Sequence, residues 1–316
     1  MKLIPATATR RFKEALKDGF FVGYKMMLRF GVHVLPDHYY VPVSNVWVLE
    51  RTRTKWAKPS AMLGVSVQLD EQVSNLQKIC LPYQSEYMGN SVYHEAVSRM
   101  FGPGYGYIEA QALHAVVRYY KPRKVVEVGS GVSTYCTRHA ATLNTSETGW
   151  PCRITCVEPH PSAAISNLDA INLLRCEVQD APLDVFLGLK ARDLLFIDSS
   201  HTVKPAGDVS QLILEVLPRL AQGVVVHFHD IYFPYDYQRD LLESFLQRME
   251  TPMLRAFLTF NERVHVVFCL SHLHYERQNE LKRVFPEYDP QSHRDGLRDA
   301  SFDPAKHFPS SIYLEM

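Results

Sequence analysis

Lys124-Val125-Val126-Glu127-Val128-Gly129-Ser130-Gly131-Val132-Ser133-Thr134 is the stretch whose reading decides the fold of this chain. Val125, Val126 and Val128 are β-branched and suit a strand covered on both faces. Gly129 and Gly131 remove two Cβ atoms where the backbone turns sharply and a ligand can approach closely. Ser133 or Thr134 can cap the helix that follows, whose free N–H groups point back at the turn. A strand, a glycine turn and a helix N-terminus together make a nucleotide-type pocket at the carboxyl edge of a sheet.

Working outward, residues from 107 onward alternate between helical and strand patterns. A helix over about 107–120 ends before Pro122, and strands are predicted at 124–128, 153–157, 173–178, 193–198 and 223–230. Helices are expected at about 132–145, 161–169, 206–220 and 236–249. Two last strands, 254–260 and 263–270, would be joined by a tight hairpin at Asn261-Glu262. The expected fold is α/β: a Rossmann-like, doubly wound, mostly parallel seven-stranded sheet with an antiparallel C-terminal hairpin. A mainly helical N-terminal extension would precede it. The flexible run Gly102-Pro103-Gly104 marks the expected boundary, so the expected division is 1–104 extension, 105–275 core and 276–316 irregular C-terminal wrap.

Within the extension, Phe12, Leu16, Phe20, Tyr24, Met27 and Leu28 recur at helical spacing and read as a core-packing face, with membrane-surface contact as the alternative. The segment around His38-Tyr39-Tyr40, bounded by Pro36 and Pro42, reads as ordered and non-helical, suited to covering a pocket. Lys+Arg 34 balances Asp+Glu 34 overall, which argues against a nucleic-acid partner. The charge is uneven, however. Residues 1–60 carry a net +7, a basic arm able to meet an acidic or membrane surface. The six cysteines, at 80, 136, 152, 156, 176 and 269, form no CxxC pair and read as buried thiols of a reducing compartment. No apolar run reaches the length of a membrane span and no secretory leader is legible, so a cytoplasmic location is expected.

The chemistry is expected at the strand ends: Glu127/Gly129, Glu158, Asp180, Asp198 and His229/Asp230. Clustered acids there need hydroxyls, amines or a cation to satisfy them. Glu158, at the end of the second strand, is placed to accept hydrogen bonds from two ribose hydroxyls. A nicotinamide dinucleotide is the obvious competitor, but its GxGxxG fingerprint wants glycine where this chain has Thr134. Glu127 beneath the turn would repel pyrophosphate and suits a cationic amino-acid group instead. His201 and His229 can each serve as a base near neutral pH, oriented by Asp198 and Asp230. His227 shares a strand face with His229 and reads as a core histidine.

Glu127-x-Gly129-Ser130-Gly131, Glu158 and Asp180 resemble a class I S-adenosylmethionine-dependent methyltransferase. More narrowly, the run from Val126 to Thr134, Phe196-Ile197-Asp198-Ser199-Ser200-His201 and His227-Phe228-His229-Asp230-Ile231-Tyr232-Phe233-Pro234 resemble the branch called methyltransferase family 24. The resemblance covers about residues 105–270. It implies that Gly129 and Gly131, with Ser130, Ser133 and Thr134 around them, pass beneath the methionine part of the cofactor. It further implies that Glu158 holds the ribose and that Asp180 lies by the adenine. Related catechol-type enzymes hold a divalent metal at the ends of strands four and five, which by position are Asp198, His229 and Asp230. An imidazole in that set disfavours Mg²⁺ and suits a softer ion.

The resulting expectation is methyl transfer from S-adenosylmethionine to an oxygen of a small molecule or glycan, using a His base or a metal-assisted nucleophile. Tyr232, Phe233, Tyr235 and Tyr237 would line the acceptor side, and the N-terminal extension would cover it. The alternatives are N-methylation of a small amine and a non-catalytic nucleotide-binding module. Nothing in the sequence bears on oligomeric state.

Overall fold

The computed structural model describes residues 6–102, 104–299 and 301–316, so Pro103 of the expected boundary lies outside the described residues. The chain divides into two units, Met1–Thr52 and Arg53–Met316. The division falls well before residue 104, because Leu76, Ile79, Cys80, Tyr87, Ala96 and Phe101 are buried in the same hydrophobic cluster as Val125 and Phe196 of the sheet.

The first unit contains a helix Ala6–Leu28 and a short helix Val46–Arg51. Asn45 caps the second, its Oδ1 accepting from the N–H groups of Trp47 at 3.0 Å and Val48 at 3.3 Å. The expected core face is not a core face: Leu16, Phe20 and Leu28 are exposed, and the side chain of Phe12 lies outside the described residues. One long helix and one short one supply no opposing layer within this unit. Tyr39 and Tyr40 are likewise exposed.

The second unit is built on a seven-stranded sheet of order β3-β2-β1-β4-β5-β7-β6. The strands are β1 (Lys124–Val128), β2 (Arg153–Val157), β3 (Ile171–Leu174), β4 (Leu194–Ile197), β5 (Val225–Phe228), β6 (His265–Cys269) and β7 (Ile312–Glu315). β1 to β5 run parallel, and β7 is antiparallel to both β5 and β6. Period-two alternation divides the core. Val125, Ile154, Leu194 and Val225 face one cluster, with the helices Leu69–Cys80 and Tyr107–Tyr120. Val126, Val128, Leu195 and Val226 face the other, with Val209, Leu212 and Leu254. A sheet covered on both faces explains the unbroken apolar runs of its strands.

Four expectations are corrected. Residues 254–260 do not form a strand; Glu250–Leu258 is a helix, and the segment 236–249 before it is a chain of turns. Its buried residues 250, 251, 254 and 258 recur at helical spacing, and Pro252 sits in the first turn, where its missing N–H costs nothing. The antiparallel pairing at this edge is real, but the partner of β6 is Ile312–Glu315 from the far end of the chain. The segment 276–316 is therefore not merely an irregular wrap. It supplies a helix Gln278–Val284 and the strand between β5 and β6. No helix among the described residues is long and apolar enough to cross a membrane.

Candidate functional site

Strand register aligns the site. Val128 pairs with Val157 and Ile197, and Ile197 pairs with Phe228. The next residues, Gly129, Glu158, Asp198 and His229, therefore stand side by side at the carboxyl edge, where the strand order reverses between β1 and β4. The ladder continues into them: the N–H of Asp198 reaches the carbonyl of Val128 at 3.0 Å, and that of His229 reaches Ile197 at 2.9 Å.

A cavity of about 460 Å³ opens at this edge. Gly129, Glu158 and Asp198 line it, together with Val178, Gln179, Ser200 and Lys204. Gly129 has φ +90°, and a Cβ there would lie 2.4 Å from the Asp198 carbonyl oxygen, so no other residue fits the turn. Gly131 differs: its backbone is extended, and a Cβ would meet only the Phe101 carbonyl oxygen at an ordinary 3.5 Å. Glu158 is held ready, with the N–H of His160 donating at 2.7 Å and the hydroxyl of Ser130 at 3.3 Å.

Glu127 lies beneath the turn rather than in the cavity wall. It is fully buried, and Ser133 Oγ donates to it at 2.5 Å. Thr134 accepts the N–H of Gly131 at 3.0 Å, so Ser133 and Thr134 brace the turn from below. Asp180 is exposed on the surface beside the cavity, and Val178 and Gln179 of the same loop take the lining position expected of it.

Burial pushes the Glu127 carboxyl up to about 8, against the opposing hydrogen bond from Ser133. A folded-state value above the unfolded one near 4.3 means that the folded protein binds this proton more tightly. Stability contributed here is lost as pH rises through that window. Glu127→Gln is expected to match the parent in thermal unfolding near pH 5 and to exceed it, by roughly 1–4 kcal/mol, above pH 8. Parallel melting curves across that range would contradict the buried, protonated carboxyl.

Beside the first cavity stands a histidine–carboxylate cluster. His229 Nδ1 lies 3.2 Å and His201 Nε2 3.3 Å from Asp198 Oδ1. His201 Nδ1 meets buried Glu250 at 2.7 Å, and His229 Nε2 meets Glu109 at 3.3 Å. Burial alone would favour the neutral imidazoles. Asp198 and Glu250 outweigh it at His201, holding it near about 10. Asp198, Glu109 and Asp230 hold His229 well above its usual range. An imidazolium donates rather than accepts, so as a base His229 acts from its neutral form. His201 and Asp230 both have positive φ, 56° and 55°, a conformation that costs a non-glycine residue.

The residues that converge here differ from the expected metal set in one member. Asp230 is spoken for: Arg248 forms an ion pair with it, and Ser310 Oγ donates to it at 3.0 Å. Among the described residues, the donor atoms that converge, all within 4.8 Å of one another, belong to Asp198, His201 and His229. One carboxylate and two imidazoles fit a transition ion better than Mg²⁺.

A second cavity, about 520 Å³, lies on the other side of His229. Gly104, Tyr105, Glu109, Asp230 and Tyr232 line it with Arg239, Asp240, Arg248, Arg298 and Phe308. Of the expected aromatics only Tyr232 lines it, and the C-terminal segment, not foreseen in this role, provides much of the wall. Glu109 and Glu250 were also missed. For Glu109 a signal existed: it shares a helical stripe with the buried residues Ala112, Leu113 and Val116, and a carboxylate on a core-facing stripe calls for a partner. His227 is a core residue, stacked on Phe196 with ring centroids 4.1 Å apart.

Residues 126–231 match the sequence profile of a family described as a methyltransferase domain. An uncharacterized protein of Archaeoglobus fulgidus is 26% identical over 137 residues, 40% of this chain and 58% of that protein, so the chain spans under two thirds of that relative's length. An SAH-bound methyltransferase of Podospora anserina aligns with a TM-score of 0.34 and 15% identity, covering 74% of this chain and 93% of its own. A SAM-dependent methyltransferase of Archaeoglobus fulgidus aligns with a TM-score of 0.33 and 14% identity, covering 71% of this chain and 100% of its own.

Proposed function

We propose that this chain, whose residues 126–231 form a methyltransferase domain of the class I S-adenosylmethionine-dependent type, transfers the methyl of that cofactor to an oxygen of a small molecule or glycan. One observation carries the reading. Asp198 lines the first cavity, His229 lines the second, and the two side chains are 3.2 Å apart. A donor in one cavity and an acceptor in the other would meet across that contact.

The residues suit the cofactor. The Glu158 carboxylate faces the first cavity and can accept from a ribose diol, and Gly129 offers bare backbone where the amino-acid part would pass. Methyl transfer is an in-line displacement: the acceptor oxygen forms a bond to the methyl carbon as the carbon–sulfur bond breaks. Its main requirement is two partners held near contact. The acceptor proton must leave, and neutral His229, oriented by Asp198 and Glu109, is the nearest acceptor for it. The convergence of Asp198, His201 and His229 favours a second reading of the same step. A divalent ion held by these three residues would supply Lewis-acid lowering of the acceptor hydroxyl's pKa.

Calorimetric titration tests the cofactor. Heat with S-adenosylmethionine and S-adenosylhomocysteine, and none with NAD, is expected; the reverse would end the methyltransferase reading. Chelation separates the two forms of the proton step. Loss of turnover that a transition ion restores supports the metal form, and turnover unchanged by chelator leaves His229 as the base.

A further inference from the structure

We propose that the methyl acceptor is an anion, its carboxylate or phosphate group seated against Arg239 and Arg298 in the second cavity. The inference rests on the methyltransferase reading above and names the substrate class of that site.

Of the three arginines that line the second cavity, Arg248 is paired with Asp230, while Arg239 and Arg298 have no carboxylate closer than 4.0 Å among the described residues. Arg239 is buried, at 5% exposure, yet among the described residues no carboxylate forms an ion pair with it. Its two terminal nitrogens donate to neutral oxygens, Gln291 Oε1 at 2.5 Å and the Ser292 carbonyl at 2.6 Å, and its Nε has no partner. Its guanidinium lies over the Phe308 ring, 4.2 Å from the centroid. A buried cation without a counter-charge is costly, and proteins keep one where a ligand supplies the missing charge.

Arg298 completes the seat. Its backbone N–H donates to the carbonyl of Arg239 at 2.9 Å, which ties the two residues together. Its own guanidinium reaches a carboxylate, Glu243, only at 4.0 Å. Two guanidinium groups lining one cavity match the planar oxygens of a carboxylate or the tetrahedral oxygens of a phosphate. His229 lines the same cavity, so an acceptor anchored there by its anion has its remaining atoms in reach of the proton acceptor.

The full chain is titrated with inorganic phosphate and with benzoate, each with and without S-adenosylhomocysteine, which itself is titrated separately. Saturable binding of at least one anion is expected, weakened by about tenfold or more in both Arg239→Gln and Arg298→Gln. Preference between the two probes identifies phosphate or carboxylate as the acceptor's group. Arg239→Gln removes two contacts that hold residues 291 and 292, so its thermal midpoint is measured first. If it fails to fold, Arg298→Gln carries the comparison, since its half-exposed guanidinium is held by little more than the partly buried Phe302 ring, 4.6 Å from the centroid. Absence of binding by either anion, or equal binding by parent and folded variants, overturns the inference even where S-adenosylhomocysteine binds. Failure of S-adenosylhomocysteine alone strikes the methyltransferase reading instead.

Discussion

Gly129→Ala is expected to be the most damaging single change in the second unit. Position 129 holds φ +90°, where an L-residue is strained, and the added Cβ would fall 2.4 Å from the Asp198 carbonyl oxygen. That oxygen belongs to the end of β4, a backbone group that cannot swing aside. Left-handed strain and overpacking together amount to roughly 2–6 kcal/mol. Asp198 would also move, and with it the contact to His229. A drop in thermal midpoint and loss of S-adenosylhomocysteine binding should therefore appear together. Gly131→Ala is the informative contrast. The fold has room for its Cβ, so its midpoint should stay near the parent's, while binding weakens if the cofactor passes over that backbone. A Gly129→Ala protein with parental midpoint and parental binding would remove the turn from the argument.

His229→Gln is expected to lower methyl transfer by about 10²–10⁴-fold while S-adenosylhomocysteine still binds. His229 lines the second cavity, and its imidazole spans Asp198 on one side and Glu109 on the other. Glutamine preserves a donor toward these carboxylates but can neither accept a proton at neutral pH nor ligate an ion as imidazole does. Binding and turnover should thus separate. An unaltered rate at saturating acceptor would exclude His229 both as base and as ligand.

Local chemistry made much of the cofactor side legible. Val125, Val126 and Val128 dictate a strand with apolar cover on both faces, Gly129 dictates a turn, and together they anticipate the bounds of β1. Glu158 and Asp198 are placed by strand length alone, since each follows the last apolar residue of its strand. Where the apolar run was ambiguous, local reading failed. Residues 254–260 read as a short strand, whereas packing of Leu254 and Leu258 against the core makes them part of the helix Glu250–Leu258.

The second cavity was largely illegible for a different reason. Its wall joins residue 105 to residues 239, 298 and 308, which no periodicity or motif connects. Ser310 and Ser311 reach Glu109 only because β7 returns from the end of the chain to lie between β5 and β6. The cluster of His201, His229, Glu109 and Glu250 likewise unites four separate elements, and Asp230 exchanges its expected ligand role for Arg248 through the same convergence.

The amino-acid sequence by itself determined the parallel strands, the glycine turn and the acids at the strand ends, because each follows from the conformational limits and burial needs of neighbouring residues. Tertiary structure alone decided which charges meet, which donor atoms converge, and which buried arginine has no ion-paired carboxylate among the described residues. Those outcomes depend on long-range closure of the chain, where distance in space is unrelated to distance along the backbone.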